Sequence, residues 1–214
     1  FFIQIKIKNR CFQHFEYIYK LLGTQFDFYF FESETANKGI ALVRDNKKVF
    51  PESDGAIVFL GEKYGLHTRV FITSKGLPTY EAKDLGLLEM KAEKWPFDMS
   101  ITVTANEQNE YFQVVQAAIG EVLPELAPKV KHVSHGMMRL ATGKMSSRTG
   151  DVITGESLIE ELKERATARA KESRSDDAVQ LAEQIAVSAV KYQILRQASG
   201  RDIIFDRERA LSLE

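Results

Sequence analysis

The chain has 214 residues, a hydrophobic share of 44% and a formal net charge of −1, values typical of a globular protein. No apolar run approaches the roughly 20 residues that a helix needs to span a bilayer, so no membrane association is expected. Because the charges balance, a nucleic-acid partner would have to bind a local basic surface or a domain outside the chain. The single cysteine excludes an internal disulfide and indicates no metal cluster.

The first predicted element is a helix over residues 9–22, where aromatic and aliphatic residues recur at the spacing of one helix face. Gly23 follows at the position where a C-terminal cap is expected. The residues before this helix alternate apolar side chains with lysines, which is not the pattern of a secretory leader. The chain does not begin with Met, so we expect it to be a piece of a longer protein.

Strands are predicted for the next part of the chain. The aromatic run Phe26–Phe31 favours the first of them. Ile40–Val43 predicts a second, inside the otherwise turn-rich residues 35–55. The runs Ala56–Leu60 and Arg69–Thr73 predict two more.

A turn then leads into a helix that Thr79 could cap. Tyr80 and Asp84 are four residues apart in this helix, so they share one face. A carboxylate beside a phenol suits a guanidinium, because the carboxylate pairs with the planar fork and the hydroxyl holds its edge. The alternative is an acidic residue favoured by the helix dipole near a half-buried tyrosine.

A βαβ unit is predicted in the middle of the chain. Phe97–Thr104 is the clearest buried strand, a helix over about 109–123 follows and ends at two prolines, and 131–140 is the next strand. Crossovers of this kind join parallel strands, so the predicted fold class is α/β. The polar residues 105–108 lie just past the first strand, where doubly wound sheets bind ligands. A simple helix-capping cluster is the alternative for them.

The loop at residues 143–150 combines two cations and two hydroxyl groups between flanking glycines. The glycines permit close approach to a ligand. Lys144 offers a mobile point charge and Arg148 a planar fork, and both suit phosphate oxygens. The hydroxyl groups belong to Ser146 and Ser147. The alternative is a solvated basic loop that precedes a helix.

Two helices are predicted after this loop. The first spans 155–173, with Leu158, Ile159 and Leu162 on its buried side. The second begins near Ser175 and ends before Gly200. Its predicted buried stripe is aliphatic and consists of Leu181, Ile185, Val187, Ala189, Val190, Ile194 and Leu195. A short extended segment at 203–206 follows.

The run from His135 to Thr154 reads HGMMRLATGKMSSRTGDVIT. Its Lys-Met-Ser-Ser segment resembles the signature loop of class I aminoacyl-tRNA synthetases, and the whole run resembles the arginyl-tRNA synthetases specifically. The resemblance extends from about Phe26 to Glu214. It implies the second half of a Rossmann-like nucleotide-binding fold with a parallel βαβ unit, followed by a helical junction. The implied domains are residues 1–150, the C-terminal part of the catalytic domain, and 151–214, a connection toward an anticodon-binding domain.

The resemblance also implies the roles of individual residues. Catalysis is assigned to Lys144 and Arg148. ATP binding is assigned to His135, Gly136, Met137, Lys144, Met145, Ser146 and Ser147, and arginine binding to Tyr80, Asp84 and Gln108. A packed histidine with a turn glycine is the plain alternative at 135–136.

The implied activity is that of an arginine–tRNA ligase, which activates arginine with ATP as arginyl-adenylate and transfers it to tRNA(Arg). Mg²⁺ is expected with ATP, no metal ligand is predicted in the chain, and a cytoplasmic monomer is expected. The second class I signature, His-x-Gly-His, does not occur in the sequence, so this piece alone is expected to be inactive. The alternatives are another adenylate-forming or nucleotidyl-transfer enzyme, and a non-catalytic module that binds tRNA or protein.

Overall fold

The computed structural model describes residues 2–140, 154–170 and 178–206, together with Arg209. Its helices are α1 (Phe2–Leu21), α2 (Glu32–Asp45), α3 (Tyr80–Lys94), α4 (Asn109–Val122), α5 (Gly155–Ala170) and α6 (Ala178–Leu195). Its strands are β1 (Glu52–Ser53), β2 (Ala56–Phe59), β3 (Arg69–Ile72), β4 (Ser100–Ala105), β5 (Val130–His135), β6 (Met138–Leu140) and β7 (Ile203–Phe205).

The chain forms two compact units. Residues 28–135 make up the central unit, and the described residues of 1–27 and 136–214 make up the terminal unit. These units do not follow the division at 150/151, which stays a prediction about the domains of the longer protein. No helix in the described ranges is both long and apolar enough to cross a membrane.

The central unit contains an antiparallel sheet of order β1-β2-β3, which follows α2. Asp54 and Gly55 join β1 to β2, and both have positive φ, 50° and 73°. Two such residues form the tight turn whose twist matches an antiparallel hairpin. The strands predicted at Ala56–Leu60 and Arg69–Thr73 are confirmed as β2 and β3.

Two predicted strands are wrong. The segment Phe26–Phe31 is irregular and ends at the N-cap of α2, where the Phe31 N–H donates to a carboxylate oxygen of Glu34 at 3.3 Å. Ile40–Val43 lies inside α2. Thr35, Gly39 and Val43 are the buried positions of that helix, and their spacing of four is helical. A short apolar run does not by itself distinguish a strand from a buried helix segment.

Helices α2 and α3 cross at two glycines. A Cβ atom on Gly39 would lie 2.0 Å from the carbonyl oxygen of Ala82, and one on Gly86 would lie 2.3 Å from that of Thr35. Backbone therefore packs on backbone at this crossing. The crossing fixes the position of α3, which carries Asp84.

Gly39→Ala is expected to lower the free energy of unfolding by about 1–3 kcal/mol or more, because the added methyl group overpacks a site walled by main-chain atoms. Gly120→Ala in α4 is the matched control, since its Cβ would meet nothing within 4 Å. That variant is expected to gain about 0.4–1 kcal/mol from helix propensity and a less flexible unfolded chain. Urea unfolding measures both, and equal effects would contradict the close crossing.

The predicted βαβ unit is confirmed, but its first strand is not buried as predicted, because Ile101 and Val103 are 53% and 62% exposed. Strands β4 and β5 are parallel, in register from Ser100 opposite Val130 to Ala105 opposite His135, and α4 connects them. The buried face of α4 carries Val114, Val115, Ala118 and Ile119. These side chains join one core with buried residues of α2, α3, β2 and β3. The α/β fold class is therefore confirmed.

The single strand predicted at 131–140 is wrong in one respect. It is two strands, because the chain leaves β5 at Gly136 and continues as β6, which pairs in parallel with β7. A Cβ on Gly136 would lie 2.0 Å from the carbonyl oxygen of Arg201, so only glycine fits at the start of this second pairing. The extended segment predicted at 203–206 is confirmed as β7.

The terminal unit packs α1, α5 and α6 together with β6 and β7. Its core includes Leu158, Ile159 and Leu162 of α5, as predicted, with Phe205 of β7 and Leu21 of α1. The predicted helix at 9–22 is confirmed as part of α1, and Gly23 follows it with φ +62°.

The stripe predicted for α6 is wrong in part. Ile185 and Leu195 are 40% and 78% exposed, and Ile194 is also exposed. The buried positions are Ala182, Ala186, Val190 and Gln193. Small alanine side chains face the neighbouring helix and allow close packing, whereas the sequence analysis favoured the larger aliphatic residues.

Candidate functional site

The carboxyl edge of the parallel pair is the first feature of the candidate site. Strands β4 and β5 end together at Ala105 and His135, which are partners in the register. A single turn of 3₁₀ helix, Asn106–Gln108, follows β4 and leads directly into α4. Gln108 is exposed and occupies the N-cap position, yet its side chain makes no capping hydrogen bond. The helix-capping alternative therefore does not account for the side chain of Gln108.

Asp84 lies in the second turn of α3 and points toward α4. Its Oδ2 accepts a hydrogen bond from the hydroxyl group of Tyr111, with an oxygen–oxygen distance of 2.6 Å. Burial raises the pKa of Asp84, and the bond from Tyr111 opposes that shift. Burial and the nearby Asp84 charge raise the pKa of Tyr111, so its hydroxyl stays protonated and donates.

Tyr80, which the sequence analysis placed beside Asp84, is 68% exposed. The ammonium group of Lys83 lies 5.0 Å from the centre of its ring. The described hydrogen bond to Asp84 comes from Tyr111 instead. Sequence reasoning missed Tyr111, although it lies three residues after Gln108 and so on the same side of α4.

Tyr111 also contacts a partly buried ion pair that the sequence did not reveal. The guanidinium of Arg69 lies 5.6 Å from the centre of the Tyr111 ring. Its Nη1 donates to Oε1 of Glu81 at 3.2 Å, and Glu81 is only 8% exposed. Within the described residues, Nε of Arg69 is buried and has no hydrogen-bond partner. The phenol thus touches a cation at its ring and a carboxylate at its hydroxyl.

A small cleft of about 80 Å³ opens beside Asp84, between α3, α4 and the first residues of β4 and β5. Lys91 lines it, and burial lowers the pKa of this lysine. His132 lies in its wall, stacked on Phe112 with 4.2 Å between ring centres and hydrogen-bonded to Thr104 at 2.8 Å. Burial lowers the pKa of His132, so the ring is neutral at pH 7 and serves packing.

The predicted ATP-binding residues fall into two groups. His135 is exposed at the end of β5, and Gly136 is buried. The N–H of Met137 donates to Oδ1 of Asp202 at 3.2 Å, and its carbonyl accepts from the N–H of Ile203 at 2.9 Å. These two bonds tie the backbone of Met137 to the segment that leads into β7. Lys144, Met145, Ser146, Ser147 and Arg148 lie outside the described residues.

A parallel βαβ unit with polar residues beyond its strands is typical of α/β proteins that bind nucleotides. The family model of the class I tRNA synthetases (R), catalytic domain, matches residues 9–207. The chain therefore belongs to this family, which confirms the resemblance found in the sequence.

The named relatives agree with this assignment. An arginine–tRNA ligase of Treponema denticola is 32% identical over 201 residues, which cover 91% of this chain and 34% of the relative. The arginyl-tRNA synthetase structure of Plasmodium falciparum has a TM-score of 0.82 at 21% identity, covering 100% of this chain and 37% of that one. The Thermus thermophilus structure has a TM-score of 0.73 at 23% identity, with 91% and 40% covered. At these identities the two structures establish the fold, and the chain spans about a third of its curated relative.

Proposed function

We propose that the protein containing this chain is an arginine–tRNA ligase. The observation that carries the proposal is membership in the arginyl family across residues 9–207. The half-buried carboxylate of Asp84 supports it, because a guanidinium needs an anionic partner. In this proposal Tyr80, Asp84 and Gln108 bind arginine, and residues 1–150 belong to the catalytic domain.

The proposed reaction has two steps. The carboxylate of arginine attacks the α-phosphorus of ATP, which gives arginyl-adenylate and releases pyrophosphate. A ribose hydroxyl at the end of tRNA(Arg) then attacks the arginyl carbonyl and releases AMP. In the first step the protein mainly positions the reactants and offsets the charge that develops on the phosphates. Lys144 and Arg148 supply that positive charge, while His135, Gly136 and Met137 contact the nucleotide.

Magnesium accompanies ATP in this proposal as part of the substrate. Within the described ranges, no group of three or more His, Cys, Asp or Glu side chains is arranged to hold a metal ion. Because tRNA and ATP are cytoplasmic, the same location is proposed for this protein, as a monomer.

The test is charging of total tRNA with each of the twenty amino acids in the presence of ATP. It is run on the chain as printed and on a version extended upstream by the N-terminal part of a full-length relative. Charging by the extended version with arginine alone supports the proposal, and charging by the printed chain as well would contradict its predicted inactivity. If both versions are folded and neither charges any amino acid, the proposal is wrong and a non-catalytic binding module replaces it.

A further inference from the structure

A hydrogen bond between α3 and α4 joins the two helices that frame the proposed arginine site. We propose that Tyr111 is a positioning residue for arginine recognition: its hydroxyl group holds one oxygen of the Asp84 carboxylate and thereby orients the other oxygen for a guanidinium. This inference rests on the proposed function. It adds a residue that does not itself need to touch the substrate.

The hydrogen-bond geometry indicates that Tyr111 binds the Asp84 carboxylate strongly. The distance of 2.6 Å between the Tyr111 hydroxyl and Oδ2 of Asp84 is that of a charge-assisted O–H···O bond. Among the described residues no other hydrogen bond to this carboxylate occurs, so Oδ1 is the acceptor that the proposal gives to the guanidinium. The terminal torsion of an aspartate is soft, and one strong bond fixes the plane of its carboxylate. A planar guanidinium binds best when that plane is fixed.

The Tyr111 ring also contacts the ion pair between Arg69 and Glu81. Arg69 stacks near the ring at 5.6 Å, and its charge is matched by the nearly buried Glu81 at 3.2 Å. Because Arg69 is paired with Glu81, it does not compete for Asp84. The result is a connected series that runs from β3 through α4 to α3 and ends at the carboxylate.

The charges around Asp84 come from each element packed against it. The charged groups are Glu81 and Lys91 on α3, Arg69 on β3 and Lys131 on β5, and the neutral titratable groups are Tyr111 on α4 and His132 on β5. The charged groups of α2 pair with α3 through Glu32–Lys83, Lys38–Glu89 and Lys38–Glu93. Burial raises the pKa of Asp84, and Tyr111 is the first opposing influence. Removal of its hydroxyl therefore raises the pKa further.

The experiment measures arginine binding by calorimetry between pH 4.5 and 8 on the full-length protein. Arginine needs an ionised Asp84, so binding weakens as the pH falls through the pKa of this carboxyl. Tyr111→Phe is expected to move that midpoint to higher pH and to lower arginine affinity at pH 7.5 by about 10-fold or more, the value of a hydrogen bond to a charged group. Citrulline, which has the same shape without the charge, serves as the reference ligand.

Tyr64→Phe is the matched control. The hydroxyl group of Tyr64 also donates to a carboxylate, that of Glu121, but both lie elsewhere in the central unit. This variant loses an equivalent bond, and its arginine midpoint is expected to stay at the wild-type value. A shift in the control equal to that of Tyr111→Phe would overturn the inference.

A double-mutant cycle with Asp84→Asn separates the positioning role of Tyr111 from the proposed arginine site itself. Coupled effects of Tyr111→Phe and Asp84→Asn on arginine affinity support the positioning role. If Asp84→Asn abolishes the preference for arginine over citrulline while Tyr111→Phe leaves the pH midpoint unchanged, the inference fails and the proposed function stands. If Asp84→Asn leaves the preference intact, the proposed arginine site is itself wrong. Should Tyr111→Phe not fold, 3-fluorotyrosine at position 111 strengthens the donor, and its midpoint is expected to move to lower pH.

Discussion

Lys144→Ala is expected to lower the rate of arginyl-adenylate formation by about 10²–10³-fold, the usual cost of removing one group that offsets charge in a transition state. The lysine is proposed to meet phosphate charge that grows as pyrophosphate leaves. The loss should therefore fall on kcat, with a small effect on the KM for arginine. Arginine-dependent exchange of pyrophosphate into ATP measures it in the extended protein.

Lys75→Ala is the control for this prediction. Lys75 is an exposed lysine in the turn before α3, so its removal takes away the same charge from a position outside the proposed site. If the exchange rates of the two variants agree within a factor of about three, Lys144 has no catalytic role. The signature loop would then be read as a solvated basic loop.

Asp84→Asn is expected to raise the KM for arginine by about 30-fold or more. Loss of one partner of a desolvated charge pair costs about 2–5 kcal/mol, and 1.4 kcal/mol is a factor of ten. The asparagine keeps the shape and an acceptor for Tyr111 but removes the charge that a guanidinium needs. Steady-state charging with arginine measures the effect, and Asp98→Asn, which changes an exposed aspartate, is the control. Equal KM values for Asp84→Asn and the wild type would contradict the proposed pocket.

The same substitution has an opposite expected effect on stability. The folded-state pKa of Asp84 lies above its ordinary value of 3.8, because burial penalises the ionised form. Between 3.8 and that raised pKa, the folded protein holds more protons than the unfolded chain at this site. The contribution of Asp84 to stability therefore falls as the pH rises through this window and stays lost above it. Asp84→Asn should unfold at higher urea than the wild type at pH 7, and the difference should shrink below pH 4.

Local pattern was enough to predict the βαβ unit and the β2–β3 pair. Phe97–Thr104 alternates apolar with polar residues, Pro124 and Pro128 end the helix that follows, and the next strand comes directly after them. These features depend on near neighbours in the chain. The antiparallel pair follows in the same way from two short apolar runs.

The features that the sequence analysis missed depend on packing between segments that are distant in the chain. Ile40–Val43 became helical because Gly39 lets α2 approach α3, a contact that is not visible in the apolar run itself. On α6 the alanines at 182 and 186 are buried in place of Ile185, since they face another helix at close range. Tyr111 meets Asp84 across 27 positions of sequence, and helix spacing alone pointed to the nearer Tyr80.

The discontinuity of the terminal unit sets an order of events during synthesis on the ribosome. Leu21, the last residue of α1, and Leu22 leave the exit tunnel long before Phe205, which belongs to the core that they pack against. The central unit, 28–135, is continuous and can condense while the remainder is still being made. At roughly 5–20 residues per second, α1 waits on the order of 10–40 s for its partners. During that interval its apolar face is a natural substrate for chaperones, so substitutions there are expected to reduce yield in cells more than they reduce the stability of the finished protein.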